Sequence, residues 1–492
     1  MKPTILAIVG VAVFTMASTA IAQDSPEPGR VERIEQYGIT WTFASPVRAG
    51  RFVTGDWWVI GPVTVTSVTP APGPARTEAA SGIRVDQWGS TSLAEDPRMR
   101  NGSMIVLKAS QNQAFDSRGA GFEPDLAVRY PLQLAAGQSL VSTISNETAS
   151  NRNFCHELMW ESEKTEQVVL KSAAVLTCLA EVPPADAFRP PYCGTLKPLF
   201  RASRIRWDVL PKLPPVEGVP DWEQFERYFQ RPWLDHIPSW TQRPLSPSEN
   251  QPAYGREHAR VTSIASLMVL LDVPRQRKEK LVLGLLQRGI DLWGIARAGG
   301  HWNHGGGHGN GRKWPILFAS ILLDDASLRT LPDTATFHED VQTYYGTGWH
   351  GQTALYWMVN HHGPRQRYEH KPPEQWEQWD RSTEGYRVSS TAQGWIGAAL
   401  AARMMKAIQL WDHDAFFDYC DRWMRPDDPY ADRRGGHPRP DQETRTYDPF
   451  VDRMWRACRD RAPDQPMAGN PRMLVYDASG RLVWVPNPKP TE

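Results

Sequence analysis

The stretch His301-Trp-Asn-His304-Gly-Gly-Gly-His308-Gly-Asn310-Gly-Arg312-Lys313 lays histidines, asparagines, an arginine and a lysine along a glycine-rich loop. Such a loop is not held by its own burial, and each glycine costs extra backbone entropy to order. Glycines let a backbone approach a ligand closely, and His, Asn and Arg supply donors and proton-transfer groups. Trp302, Asn310 and Arg312 are therefore candidate substrate contacts, and His304 and His308 candidate catalytic groups. Three more clusters have the same character. Tyr254, Arg256 and Glu257 lie just ahead of a helix expected from Ala259, where free N–H groups collect. Tyr344-Tyr345 leads to Asn360-His361-His362, a run too polar for a core segment. Arg381 and Tyr386 precede a helix expected from near Thr391.

No G-x-S-x-G elbow, H-E-x-x-H pair or P-loop is present. A set rich in His, Tyr, Arg and Asn suits β-elimination on a uronic-acid polysaccharide. The proton beside a sugar carboxylate is barely acidic until that carboxylate is neutralised, which Arg, Asn or His donors achieve. A Tyr or His then removes the proton, and a Tyr protonates the leaving oxygen. The reading requires no cofactor; a divalent metal at His304 and His308 is an option, although that spacing is diagnostic only on a helix. Two alternatives stay open. A glycoside hydrolase needs two facing carboxyl groups, from Asp235, Glu249, Glu257 and Glu384. A non-catalytic glycan-binding envelope protein needs only aromatic surfaces.

Asn360-His361 followed by Arg381 and Tyr386 resembles the Asn-His, Arg, Tyr order of (α/α)-barrel polysaccharide lyases of the alginate-lyase type. The resemblance implies that Asn360 and Arg381 neutralise the carboxylate, that His361 is the base and that Tyr386 is the acid or serves as both. Tyr37–Phe43, Gly55–Pro62 and Gly311–Phe318 look like segments of secreted proteins of environmental bacteria, a resemblance that implies no activity.

These groups need a scaffold. Met1-Lys2, an apolar run from Ile5 to Met16 and Ala20-Ile-Ala22 read as a signal peptide over 1–22. Export to the periplasm or beyond is expected, with no membrane span in the mature chain. Balanced charge, 55 basic against 55 acidic residues, gives no global field for nucleic acid. The expected partner is a polysaccharide, anionic or neutral, and 21 tryptophans supply flat faces for sugar rings. Alternation at Ile39–Phe43, Trp57–Ile60, Val63–Val68 and Ser139–Ser145 predicts a β-rich domain over 32–165. A proline-rich connecting segment spans 166–220, and three- and four-residue apolar spacing predicts a helical catalytic domain over 221–465. A closing hairpin and tail fill 466–492. The fold class expected is mainly α, an (α/α) toroid or incomplete barrel carrying an N-terminal β-domain and a C-terminal β-hairpin. Among five cysteines, Cys178–Cys193 and Cys420–Cys458 are candidate disulfides.

Overall fold

The computed structural model describes residues 29–73, 84–85, 91–92, 99–110, 112–150, 168–237, 240–303, 306–357, 367–425, 446 and 448–490. Alternating side chains build the strands β1 (Arg30–Gln36), β2 (Ile39–Arg51), β3 (Trp57–Ile60), β4 (Val63–Thr69), β5 (Ser103–Ile105), β6 (Leu132–Leu134), β7 (Ser139–Ser150) and β8 (Val168–Leu179). They form one curled sheet of eight strands in the order β5-β7-β8-β3-β2-β4-β6, with β1 also paired to β2. Pairing is antiparallel except where β8 runs parallel to β3, Cys178 opposite Val59.

Strand β8 explains how the sheet is used. All but Lys171 of its residues are buried, so both its faces are covered. Ala174, Leu176 and Cys178 join Trp41, Phe43, Val59 and Val65 in a core inside the curl. Val169, Ala173 and Val175 point the other way, into a larger core shared with helices α1 (Trp222–Gln230), α2 (Gly255–Leu270) and α3 (Arg275–Arg297).

The remaining helices are α4 (Lys313–Leu322), α5 (His338–Gln342), α6 (Gln378–Tyr386), α7 (Ala392–Met404), α8 (Ile408–Trp411), α9 (Asp414–Met424) and α10 (Pro449–Cys458). Helix α2 is buried at every position, the mark of a central helix. Small residues let α7 close against it: a Cβ on Gly397 would lie 2.6 Å from that of Ser263, whose hydroxyl donates to Gly394 O at 2.7 Å. Two hairpins complete the fold, β9 (Thr343–Tyr345) with β10 (Ala354–Tyr356) and β11 (Arg472–Tyr476) with β12 (Leu482–Pro486).

This architecture corrects the expected (α/α) toroid. The chain is 36% helix and 22% strand, too rich in sheet to be mainly α. The physical reason lies in the shared core, where Val141, Leu170 and Val175 pack with Phe225, Leu285 and Trp293. The sheet is thus a layer of the body rather than an appendage to a ring of helices. The candidate disulfides are corrected as well: Cys178, Cys193, Cys420 and Cys458 are all free and buried. Among the described residues, no helix is long and apolar enough to cross a membrane. The expected leader, 1–22, lies outside them.

Candidate functional site

Glycines place the loop after α3 under the start of α2. A Cβ on Gly255 would come within 2.2 Å of Gly307 O and 2.3 Å of His308 O. Gly307, at φ +84°, would put its Cβ 2.3 Å from Ser390 O. The glycines therefore serve close packing of backbone on backbone, wedging the loop between α2 and residues Arg387–Thr391. Those residues form a single π-helical turn joining α6 to α7, a feature that often marks functional sites.

Polar groups lock the wedge. Asn310 donates to Ser390 O at 2.8 Å and accepts from Trp395 Nε1 at 2.8 Å. Arg312 donates to His308 O at 2.8 Å and Asn310 O at 2.6 Å, and pairs with Asp235 at 3.1 Å. Arg256 bonds Glu257 at 2.6 Å and Ser389 O at 2.9 Å, while Arg260 reaches the other Glu257 oxygen at 2.9 Å. Trp302 is buried and stacked on Phe337, ring centres 5.6 Å apart. The structure thus sets Arg256, Glu257, Trp302, Asn310 and Arg312 in the frame beneath the loop.

A smaller group gathers around Gly306. The Tyr254 hydroxyl donates to Gly306 O, and the Tyr254 ring meets His308 edge-on at 4.8 Å. The Cβ position of Gly306 is 3.5 Å from a ring carbon of Tyr386 and 3.5 Å from one of His308. Both of those side chains are partly exposed. The Arg243 guanidinium, also partly exposed, lies 5.5 Å over the Tyr254 ring. The clusters at 254, 308 and 386 thus meet in one place. Nothing in the sequence near Trp240–Leu245 marks Arg243; only the fold carries it to Tyr254.

Other candidates lie apart from this group or beyond the described residues. Tyr345 bonds Asp418 at 2.8 Å and its N–H bonds Asn487 at 2.6 Å. Burial, then Asp418, raises its phenol far above the usual range. Arg381 is exposed on α6 and donates to Trp376 O at 3.3 Å. His304, Asn360, His361 and His362 lie outside the described residues. Among the described residues no group of His, Cys, Asp and Glu could hold a metal ion.

The four carboxylates considered for a hydrolase are all engaged by cations. Asp235 pairs with Arg288 and Arg312, Glu249 with Arg231, and Glu257 with Arg256 and Arg260. Glu384 pairs with Arg387 and accepts from Tyr368 at 2.8 Å. Three of them, Asp235, Glu257 and Glu384, are also buried. A separate cleft of about 440 Å³, lined by Trp207, Lys212, Asp272 and Arg275, lies at the far end of α2. At 1.5 Å per residue it is about 24 Å from Tyr254 and does not join the site.

Glu339 is the acid beneath the loop. One oxygen accepts the Gly311 N–H at 2.7 Å, and the other is buried without a hydrogen-bond partner. Burial pushes this carboxyl up to about 7. An acid raised from 4.5 to about 7 binds more protons folded than unfolded, so its stabilising effect is lost as pH rises between those values. His236, held down to about 4 by burial, works in the opposite direction, so the comparison must be with a variant. Glu339→Gln should gain on the native protein by roughly 3 kcal/mol between pH 4.5 and 8. Urea denaturation of both proteins across that range tests this, and parallel profiles would refute it.

Neither a family model, nor a curated protein, nor a solved structure matches this chain.

Proposed function

We propose that the protein is an exported polysaccharide lyase that cleaves a uronic-acid glycan by β-elimination at the Gly306 site. The observation that carries the reading is the meeting of His308, Tyr386 and Tyr254 around Gly306, with Arg243 over the Tyr254 ring. Arg243 donates to the sugar carboxylate and spreads the charge that develops when the adjacent proton leaves. His308 takes the C5 proton, and its electrons become the C4–C5 double bond. The C4–O bond breaks, and Tyr386 protonates the departing oxygen. No water is consumed. In this arrangement His308 takes the role of base that the lyase resemblance implies for His361, and Arg243 that of Arg381, which lies apart on α6. The engaged state of Asp235, Glu249, Glu257 and Glu384 weighs against a hydrolase, which needs two carboxyl groups facing the bond.

The test follows ultraviolet absorbance of the unsaturated product on alginate, glucuronan, pectin and glycosaminoglycans. A rising signal is expected on one of them. Tyr386→Phe and His308→Ala should each lower it at least about 100-fold, the scale of a lost general acid or base. A flat signal on every polymer, or full activity in Tyr386→Phe, would overturn the reading.

A further inference from the structure

Helix α6 carries a second feature beside Tyr386. Its first turn is set by a reciprocal cap, in which Glu377 N–H donates to Asp380 at 3.2 Å. Trp379 is thereby held at a defined position, and it is 43% exposed, among the few large hydrophobic side chains left in solvent. Most of the described tryptophans, such as Trp314, Trp395, Trp411 and Trp423, are buried in the core. An indole left in water on an ordered helix forgoes the burial that its area would otherwise contribute.

Its placement indicates a use. Residues spaced by four and seven share a helix face, so Trp379, Thr383 and Tyr386 form one row. Thr383 supports that row locally, its hydroxyl donating to Trp379 O at 2.9 Å. The buried face of α6, Asp380 and Glu384, is turned aside from it. At 1.5 Å per residue the row runs about 10 Å from the indole to the tyrosine at the site.

We propose that Trp379 is a stacking platform for a pyranose ring, extending the Gly306 site along α6 to hold a polymer rather than a single sugar. The occupant is a glycan chain because an indole offers a flat apolar face with one N–H donor, matching the apolar face and hydroxyl rim of a sugar ring. Continuity with Tyr386 places that ring on the chain whose bond is cleaved. That continuity with a cleaved chain, and the identity of the polymer as a polyuronate, rest on the lyase reading; binding of a sugar ring at Trp379 does not.

Native gels cast with glucuronan or alginate, run cold beside gels with neutral hydroxyethyl cellulose, measure binding without needing turnover. The native protein should be retarded by a polyuronate. Trp379→Ala should weaken that retention about tenfold in apparent affinity, and Trp379→Phe should restore most of it. Trp379→Ala should stay folded in the cold gel, with the circular dichroism of the native protein, although more than half of the side chain is covered; loss of that spectrum would overturn the platform as the cause. Equal retention of Trp379→Ala and native protein, or no retention of the native protein by any polymer, would also overturn it. Retention lost in Trp379→Ala with no ultraviolet product anywhere would uphold the platform and sink the elimination reading alone.

Discussion

Asp235→Ala is expected to destabilise the protein by about 3–5 kcal/mol, because it strands two buried guanidiniums. Asp235 is fully buried, with Arg288 at 2.5 Å from one oxygen and Arg312 at 3.1 Å from the other. Gln242 adds a hydrogen bond at 2.5 Å. Burial alone would raise this carboxyl, but the two arginines overcome it and hold the acid well below its usual range. A depressed acid contributes stability above its unfolded value of 3.8, and that contribution fades as pH falls further. The loss in the variant should therefore be full at neutral pH. The effect reaches the site as well, since Arg312 is the group holding the His308 and Asn310 carbonyls. Urea denaturation at pH 7 is the measurement. A loss below about 1 kcal/mol would mean that the arginines find water, and that this ion cluster is not the anchor of the loop.

On the proposed lyase mechanism, Gly307→Ala should lower activity about 100-fold while leaving much of the fold in place. The new Cβ would sit 2.3 Å from Ser390 O and 3.0 Å from Ser390 Cβ, at a φ of +84° that alanine rarely adopts. Overpacking of this kind costs about 1–3 kcal/mol, and the loop or the π turn must move to relieve it. Either shift separates His308 from Tyr386, and a displacement of about 1 Å at reacting groups costs on the order of 100-fold in rate. Gly299→Ala is the control. It has a similar φ of +94° but nothing within 4 Å, so it carries the backbone strain without the collision. Product formation and thermal melts of both variants decide the matter. Comparable activity in the two would show that the contact with Ser390 does not position the site.

The convergence of sites 254, 308 and 386 was legible as composition and opaque as geometry. Tyr254, His308 and Tyr386 stand out in the sequence because polar and aromatic groups in glycine-rich or pre-helical segments are costly to keep without a role. Arg256, Glu257, Asn310 and Arg312 share that local signature yet are held by partners remote in sequence: Ser389 is 133 residues from Arg256, and Asp235 is 77 from Arg312. A local pattern cannot separate an arginine that meets a ligand from one that meets a buried aspartate. Helix α2 shows the same limit. Its apolar period is plain from Ala259, but it begins at Gly255, because Arg256, Glu257 and His258 are buried and find partners inside the fold instead of facing solvent.

Periodicity by itself placed strands such as Ile39–Phe43 and helices such as α3, because alternation and three- and four-residue spacing follow from backbone geometry. It did not mark β8 inside the proline-rich segment or the β9–β10 hairpin inside the helical region. Only the tertiary structure decided how those elements assemble. Whether a sheet is an appendage or a layer depends on what covers its second face, and β8 has mostly apolar residues on both faces. The helices α1, α2 and α3 cover one of them, which joins sheet and helices in a single core and leaves no ring to close.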